Sequence, residues 1–510
     1  MKLRPFKALC AALLPALLLS ACWQDLPASE NPSLPIAEET EDPQAAENRT
    51  LPERFALPYA PDQTLDPVTC TDGMQQVVAS LLCEGLFRLG PDFEPEPWLC
   101  ASYTYDAASY TYVFTLRSGV TFSDGSPLTA ADVKATLDRA RNSVRYRSRL
   151  SQVSRITASG ETVTITLSGP NTGFPALLDI PIVKSGTEDA PVGTGPYLLS
   201  TEETGSWLVA NQSWWQGASL PVDRIALVEA GDQETMLYRF SSHEVQLVTV
   251  DLIGTSPVSV TGNVTYLDAD TTVLHYLGCN TTRAPLDDPT LRSCLWSGIN
   301  RSHLVSAFLS SHGTASQFPV SPASPLYPSA LEESYSLAAF SDALEELGLS
   351  SSRTLTLLVN EENSFKVSAA QEIADTFTAA GLPVTVRALP WEEYAAALAA
   401  GNFDFYYGEV RLSADWDLSA LLGTGGSMNY GGWADPQTDQ LLAAFSAATD
   451  RTAAMEDLCT YLRQQAPILP ICFKSTSVLV QADVVEGLEP TAAEPLYNFP
   501  ECTVRLRDAS

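Results

Sequence analysis

The amino-acid sequence predicts an α/β fold divided into at least two lobes. Between residues 354 and 407, strand-like and helix-like segments alternate in the order βαβαβ, which is typical of a parallel sheet with right-handed crossovers. Residues 110–167 combine strands and a helix in a different order, which indicates a separate mixed lobe. A chain of 510 residues is also too long for one hydrophobic core, so we expect it to divide.

The beginning of the chain has the parts of a signal peptide, which we assign to residues 1–21. The basic residues are Lys2, Arg4 and Lys7, the apolar run covers 9–19, and the small residues are Ser20 and Ala21. The apolar run is too short to span a bilayer comfortably. Cys22 follows at the place where the bacterial lipobox has its lipid-bearing cysteine, so we predict lipidation there. The alternative is an ordinary signal peptide.

Residues 22–53 predict a lipid-anchored acidic linker. From Trp23 to Glu53 the chain has eight acidic residues, one basic residue (Arg49) and five prolines. Such a segment cannot bury enough apolar surface to fold, so it is expected to act as a spacer. The alternative is an ordered N-terminal extension.

The charge of the chain excludes two classes of partner. A formal net charge of -32 would repel nucleic acid and an anionic membrane surface. We therefore expect no nucleic-acid partner, and contact with the membrane through the lipid anchor only. Acidic surfaces also serve solubility, so the charge alone does not identify a cationic ligand. The protein is expected to be a monomer.

The cysteines leave two alternatives open. Eight cysteines follow Cys22, and an even number in an exported protein permits disulfides, although spacing cannot choose among the 105 pairings. All eight could instead be buried free thiols, which pack as small hydrophobic side chains. The eight are Cys70, Cys83, Cys100, Cys279, Cys294, Cys459, Cys472 and Cys502.

The earlier lobe is predicted from alternation and capping patterns. Residues 110–116 alternate in the strand period, and 117–122 predict a turn followed by the second strand of a hairpin. Thr129 and Asp132 have the capping-box arrangement, which begins a helix at about 129–141.

The later lobe alternates between the strand period and the helix period. Gly381 and Gly401 follow the two helices, as glycine commonly does at helix C-termini. Strands are predicted at 354–359, 384–389 and 403–407, with helices ending near residue 380 and at 391–400. Parallel sheets bind ligands outside the carboxyl ends of their strands. The segment that leaves the last strand contains the carboxylates of Asp415 and Asp417 and the indole of Trp416.

Motifs of common enzyme classes are missing. His243-Glu244 begins like the helix of a zinc protease, but Leu247 stands where the second histidine must be. There is no nucleophile elbow, no phosphate-binding loop and no Cys-x-x-Cys. The four histidines are widely scattered. We therefore expect no metal site, no cofactor and no enzymatic activity.

Motifs along most of the chain, from about residue 57 to residue 473, resemble a known family. It is the oligopeptide, dipeptide and nickel group (bacterial family 5) of the extracytoplasmic solute-binding proteins of ABC importers. The matching segments are TLDP at 64–67, LCEGL at 82–86, YVFTLRSGVTFSDG at 112–125, PLTAADV at 127–133, VGTGPY at 192–197, Asn280 with PLDD at 285–288, Leu291-Arg292 and PILP at 467–470.

The resemblance implies the architecture. It is a two-lobed, periplasmic-binding-protein-like α/β fold with a hinge, with the ligand enclosed between the lobes and an extra α/β subdomain in the first lobe. The implied boundaries are 54–278 and 476–510 for lobe I, about 70–190 for its inserted subdomain, and 279–475 for lobe II.

The resemblance also implies where the ligand binds. In peptide-binding members an aspartate in an aromatic and acidic loop pairs with the α-amino group of the ligand, and Asp415 lies in a shortened form of that loop. Pockets combine aromatic walls with a few placed polar groups. The other predicted ligand-binding residues are therefore Asp417, Trp416, Tyr406, Tyr407, Asn429 and Tyr430.

Together these observations predict a lipid-anchored receptor at the extracytoplasmic face of the cell membrane. It would capture a small-molecule or peptide ligand, with a peptide favoured, and deliver it to an ABC permease. The alternatives are a receptor for a metal chelate or a sugar, a receptor for a peptide pheromone, and an exported hydrolase.

The anchor gives a first testable prediction. We expect the wild-type protein to fractionate with membranes and Cys22→Ala to be released or to remain uncleaved, because the lipid is attached to the Cys22 thiol. Cys10→Ala, in the apolar run of the same leader, is the control and should fractionate like the wild type. Membrane fractions probed by immunoblot decide the question, and wild-type protein found wholly in the medium would contradict lipidation.

Overall fold

The structure is a computed structural model that describes residues 51–507, apart from 257, 259, 261 and 349–352. The predicted signal peptide, Cys22 and all but the end of the predicted linker lie outside the described residues. Among the described residues, no helix is long and apolar enough to cross a bilayer.

Strands and helices are interspersed along the described chain. The strands are β1 Ala56–Tyr59, β2 Phe87–Leu89, β3 Pro95–Pro97, β4 Cys100–Asp106, β5 Thr111–Leu116, β6 Val153–Ser159, β7 Thr162–Leu167, β8 Tyr197–Glu202, β9 Gly205–Ala210, β10 Arg224–Glu229, β11 Leu247–Val250, β12 Val264–Cys279, β13 Gly313–Ala315, β14 Leu355–Asn360, β15 Val384–Leu389, β16 Phe405–Arg411, β17 Ile468–Gln481, β18 Val485–Glu486 and β19 Thr503–Val504.

The helices connect these strands and cover their sheets. The α-helices are α1 Gly73–Leu82, α2 Ala130–Ala140, α3 Gln233–Ser241, α4 Pro289–Cys294, α5 Arg301–Phe308, α6 Leu337–Glu346, α7 Ser364–Ala379, α8 Trp391–Ala399, α9 Ser419–Leu422, α10 Pro436–Ala447 and α11 Arg451–Gln465. Short 3-10 helices cover Phe174–Leu177, Leu295–Gly298, Ser329–Leu331 and Phe499–Glu501.

The large sheets in the described chain divide it into separately packed parts. Two have four strands, in the orders β1-β10-β9-β8 and β4-β5-β7-β6, and the largest has seven, in the order β11-β17-β12-β16-β14-β15 with β13 on β17. The sheet around β5 has its own apolar core, formed by residues between 68 and 182.

The predicted βαβαβ segment is confirmed. β14 pairs in parallel with both β15 and β16, with α7 and α8 as the connections. Gly381 and Gly401 follow the two helices with φ of +101° and +66°, a region that glycine enters without the steric cost paid by other residues. The ends of these helices were therefore readable from the sequence.

One local prediction is wrong and another is confirmed in the antiparallel sheet. β5 does not form a hairpin with residues 120–122, because β4 and β7 already occupy both of its edges. Thr121 instead bridges to Pro127. The capping box that begins α2 is present, with the Thr129 hydroxyl accepting from the Asp132 N–H.

Two long antiparallel strands, β12 and β17, link two different apolar cores. Near one end of the pair, Leu274 and Phe473 belong to the largest core. Towards the other end, Val478 and Val480 pack into a second core around Phe55. The pairing of the two strands is irregular between Asp270 and Leu274, close to the point where the pair passes from one core to the other.

A buried carboxylate joins two of the motifs that carry the family resemblance. The Glu84 carboxylate accepts hydrogen bonds from the indole N–H groups of Trp98 (2.9 Å), Trp214 (3.1 Å) and Trp215 (2.8 Å) and from the Thr194 hydroxyl (2.6 Å). Burial raises the pKa of Glu84, and these four donors act in the opposite direction. Four donors satisfy all of its lone-pair positions, so Glu84 is a structural residue.

The close approach of residues 193–195 to residues 82–83 explains why positions 193 and 195 are glycine. A Cβ atom at Gly193 would lie 2.0 Å from the Leu82 carbonyl oxygen and 2.6 Å from the Cys83 Sγ. The Gly195 N–H donates to the Leu82 carbonyl at 3.0 Å. Glycine is needed here because two backbones approach closely.

The eight cysteines in the described residues are free thiols. Seven are buried, and Cys294 is half-buried. Burial raises the pKa of Cys100 to about 11 and that of Cys279 to about 12, so thiolates are scarce at neutral pH. The sequence left disulfides and free thiols as alternatives, and the structure has free thiols.

The close approach at Gly193 gives a stability prediction. We expect Gly193→Ala to lower the free energy of unfolding by about 1–3 kcal/mol, because the added methyl overpacks a buried contact with a carbonyl oxygen. Gly169→Ala is the matched control, since a Cβ there meets no atom within 4 Å. Thermal unfolding followed by circular dichroism measures both, and equal stability of the two variants would contradict this explanation.

Candidate ligand-binding site

A cavity of about 1020 Å³ lies where several distant parts of the chain meet. Its volume is at the upper end of the range for small-molecule pockets. The walls come from α1, from the segment after α2, from the middle of β12, from the segment that leaves β16, and from residues 490–495 near the C-terminus. Two of the predicted ligand-binding residues, Asp415 and Asp417, line it.

Asp415 is held rigidly in this wall by its own loop and by a distant residue. One carboxylate oxygen accepts from the Ser413 hydroxyl (2.5 Å) and the Asp417 N–H (3.4 Å), and the other accepts from the Asn171 side-chain amide (2.8 Å). The residue is 5% exposed. A carboxylate offers about four acceptor positions, so about one remains for a further donor.

The contact between Asn171 and Asp415 joins segments 244 residues apart. The two residues fall in the predicted lobe I and lobe II, respectively. Next to this bond, the Thr172 N–H donates to the Ser446 carbonyl at 2.9 Å, and its hydroxyl donates to the Ala448 carbonyl at 2.7 Å. In this structure the two sides of the cavity are therefore in direct contact.

Two half-buried arginines lie near Asp415. Arg451 donates to the Asp415 backbone carbonyl, and Arg149 is paired with Asp179. Burial lowers the pKa of both arginines, and the negative charge of Asp415 opposes this change. Asp415 therefore has cationic surroundings without any ligand.

Asp417 is the more accessible of the two predicted carboxylates. It is half-buried, and its carboxylate accepts from the Ser419 N–H at 2.9 Å, which fixes the turn into α9. Asp417 lines the main cavity together with Asp415.

Trp416 points away from the main cavity and into the core. Its ring makes edge-to-face contacts with Phe93 (5.4 Å between centroids) and Phe473 (5.8 Å). Its φ of +56° is uncommon for a bulky residue and sends neighbouring side chains of the loop in different directions. It also borders a second cavity of about 580 Å³, which shares Phe93, Ala414 and Asp415 with the first.

The other four predicted residues are not part of the lining of either cavity within the described chain. Tyr406 and Tyr407 are buried in β16, where their hydroxyls lie within hydrogen-bonding distance of the Tyr276 hydroxyl and the His275 Nδ1. Asn429 donates to the Gly423 and Trp433 carbonyls. Tyr430 is 40% exposed and packs edge-on against Tyr406. Their role in ligand binding stays a prediction.

Over the described residues there is no group of three or more His, Cys, Asp or Glu side chains placed to hold a metal ion. The cavity instead offers carboxylates, guanidinium groups and hydrogen-bonding backbone, which suit an organic ligand that carries charges.

Comparison with known proteins identifies the family. A model of the bacterial extracellular solute-binding proteins, family 5 middle, matches residues 94–431, which is more than half of the chain. The chain belongs to this family. Its members are receptors of ABC importers and not enzymes, so the predictions of family, of a two-lobed α/β fold with a hinge and of no catalytic activity are confirmed.

Curated relatives of this family 5 protein cover most of its length. The glutathione-binding protein GsiB of Salmonella typhi is 26% identical over 441 residues, which are 80% of this chain and 86% of that protein. GsiB of Escherichia coli K12 matches to the same extent.

Solved structures share its fold. The nickel ABC transporter protein from Bacillus halodurans superposes with a TM-score of 0.75 at 22% identity, covering 89% of this chain and 100% of that one. The periplasmic murein tripeptide binding protein MppA, in its unliganded open form, gives a TM-score of 0.73 at 19% identity, covering 89% of this chain and 98% of that one.

Sequence reasoning missed three residues that this family 5 protein places at the site. Asn171 reaches Asp415 from another part of the chain, and Arg411 and Glu494 line the main cavity. Arg411 could have been found, because it ends the last strand of the predicted βαβαβ unit, where ligands bind. Asn171 and Glu494 are brought to the cavity by long-range packing alone.

The contact between Asn171 and Asp415 gives a prediction about the two sides of the cavity. Asn171→Ala removes one donor from a buried carboxylate, which costs roughly 1–3 kcal/mol, so we expect a lower melting temperature and a larger radius of gyration without ligand. Differential scanning calorimetry and small-angle X-ray scattering measure the two effects. Asn142→Ala, at an exposed asparagine after α2, is the control and should change neither. A compact Asn171→Ala protein of unchanged stability would show that this contact does not hold the two sides together.

Proposed function

We propose that this family 5 protein captures a peptide with a free amino group and delivers it to an ABC permease from a lipid anchor on the extracytoplasmic face of the membrane. The single observation that carries the proposal is the position of Asp415. Its carboxylate is buried and pre-oriented in the wall of a cavity large enough for a short peptide, with an acceptor position left.

The chemistry of the wall suits a ligand with both kinds of charge. A peptide carries an ammonium group at one end and a carboxylate at the other. Asp415 and Asp417 supply the negative side of the cavity. Arg411 lines the same cavity at the end of β16, is exposed, and has no hydrogen-bond or ion-pair partner within the described residues. It is the natural counterpart for a ligand carboxylate.

The ligands of related proteins support a peptide. GsiB is a glutathione-binding protein, and glutathione is a tripeptide. MppA is described as a murein tripeptide binding protein, and AppA of Bacillus subtilis has been solved with a nonapeptide. One structural neighbour is named a nickel ABC transporter and another, NikZ of Campylobacter jejuni, is solved with Ni(L-His), so a metal chelate is the competing ligand in a binding experiment.

The anchor is supported by the sequence, in which Cys22 follows the predicted signal peptide. The Arg507 N–H donates to the Pro52 carbonyl at 2.9 Å, and the Arg507 side chain pairs with Glu53. These contacts fix the chain at Pro52 and Glu53, the end of the predicted linker. A monomer on such a tether can reach a permease in the same membrane.

Asp415 gives the decisive prediction. Asp415→Asn keeps the shape of the side chain and removes its charge, so we expect affinity for a free-amino tripeptide such as Ala-Ala-Ala to fall by roughly 30-fold or more, since breaking a desolvated charge pair costs about 2–5 kcal/mol. N-acetylation of the tripeptide should cost the wild type heavily and the variant much less, which is the signature of coupled groups. Isothermal calorimetry on the four combinations measures the coupling.

Two controls separate binding from folding. Asp457→Asn removes an exposed carboxylate of α11, away from the cavity lining, and should bind like the wild type. The melting temperature of Asp415→Asn without ligand reports any loss of the contact with Asn171. Equal losses on acetylation in both proteins would exclude Asp415 as the amino-group contact, and binding of nickel-histidine in place of every peptide would overturn the proposed ligand class.

A further inference from the structure

Glu494, in the C-terminal segment, is one of the residues that line the cavity. Residues 490–495 form part of the wall. The backbone of their turn is held by hydrogen bonds from the Thr491 N–H to the Glu494 carbonyl (3.1 Å), from the Glu494 N–H to the Thr491 hydroxyl (3.0 Å), and from the Tyr497 N–H to the Glu494 carbonyl (3.0 Å). The Glu494 backbone is therefore fixed, while its carboxylate has no hydrogen-bond or ion-pair partner within the described residues.

The nearest cation does not satisfy this carboxylate. The Arg88 guanidinium lies between two aromatic rings, 4.3 Å from the centroid of Trp98 and 3.6 Å from that of Tyr497. It donates to the Tyr497 carbonyl (3.1 Å) and lies 3.8 Å from the Glu96 carboxylate. Arg88 is thus engaged with other groups, although it still attracts Glu494 through space.

The other charged neighbours of Glu494 are acidic. Glu84 and Glu96 both disfavour its ionised form, and Arg88 opposes them. Burial is the largest effect, and together these influences raise the pKa of Glu494 to about 7. A partly buried carboxylate with acidic neighbours gains most from a positive charge that arrives from outside.

The cavity as a whole also favours a cationic ligand. Six carboxylates and three guanidinium groups line it among the described residues, which gives a formal charge of -3 when all the acids are ionised. The acids are Asp179, Asp268, Asp270, Asp415, Asp417 and Glu494, and the bases are Arg145, Arg149 and Arg411. Several of these acids have partners in the protein, such as Arg149 for Asp179 and the Thr314 hydroxyl for Asp270. Glu494 differs from them because its carboxylate is unpaired.

We propose that Glu494 is a second acidic contact for the ligand and binds a positively charged side chain, so that the cavity selects basic peptides that contain lysine or arginine. This inference rests on the proposed peptide-binding function. The ligand ammonium or guanidinium group takes the place of the counter-ion that the protein does not supply. An acidic tripeptide such as glutathione, with two carboxylates and one amino group, is then disfavoured.

Selection by Glu494 depends on pH. The carboxyl group binds a cation only when it is ionised, and binding of the cation displaces its proton. The preference for a basic peptide is therefore full at pH 8 and falls as the pH drops through about 7. At pH 6 only about one tenth of the free protein has Glu494 ionised, so the preference should fall by roughly tenfold.

The test compares matched tripeptides by isothermal calorimetry at pH 6 and pH 8. The probes are Ala-Lys-Ala and Ala-Ala-Lys, each against its uncharged glutamine counterpart, with glutathione as the acidic probe. We expect the wild type to prefer at least one lysine peptide by about tenfold or more at pH 8. Glu494→Gln should lose that preference, and Glu501→Gln, at an exposed glutamate of the same C-terminal segment, should retain it.

The outcomes separate this inference from the proposed function. Tripeptides that bind without a lysine preference, or a preference that Glu494→Gln leaves intact, would overturn the role of Glu494 and leave peptide binding standing. Binding of no tripeptide at all would overturn both. Should Glu494→Gln fail to fold, the wild type alone decides, because a lysine preference that is equal at pH 6 and pH 8 contradicts the proposal.

Discussion

The pairing of β12 with β17 is the constraint on which the rest of the structure depends. Both strands are long enough to contribute side chains to two different cores, and their backbone hydrogen bonds fix how those cores face each other. A strand pair resists bending where its register is regular and yields where it is not. The pairing is irregular between Asp270 and Leu274, and an irregularity of this kind bends and twists a strand locally.

The position of the cavity follows from that pair. Asp268 and Asp270 of β12 and Thr476 of β17 form part of its wall at the middle of the pair. β16 lies alongside β12, so the loop that leaves β16 carries Asp415 to the same place. Rotation about the pair would change the distance between the two sides of the cavity without altering either core. A ligand held from both sides stabilises the closed arrangement by its own binding energy.

The sequence predicted the parts of the structure that depend on neighbours along the chain. The βαβαβ unit and the α2 capping box were found because periodicity, glycine at helix ends and side-chain capping are local. The hairpin after β5 failed because its edges were taken by strands that the local pattern does not reveal. An aromatic residue next to a predicted site can be either a ligand contact or a core residue. Tyr407 is buried in the core, which depends on the packing of both faces of β16 and cannot be read from the local sequence.

Residues that reach the cavity from distant parts of the chain could not be predicted either, because local patterns do not reveal long-range packing. Asn171 meets Asp415 across 244 residues, and Glu494 belongs to a segment near the C-terminus. Neither lies in a recognisable motif. Their positions depend on how the sheets pack, and no short sequence pattern encodes that packing.

The free thiols have a consequence for the way the protein matures. Because the described cysteines contribute to the cores as small apolar side chains, the native state requires no oxidant and no disulfide isomerase. Oxidation threatens this fold, since a thiol exposed during unfolding can form a non-native disulfide that the packed core cannot accommodate.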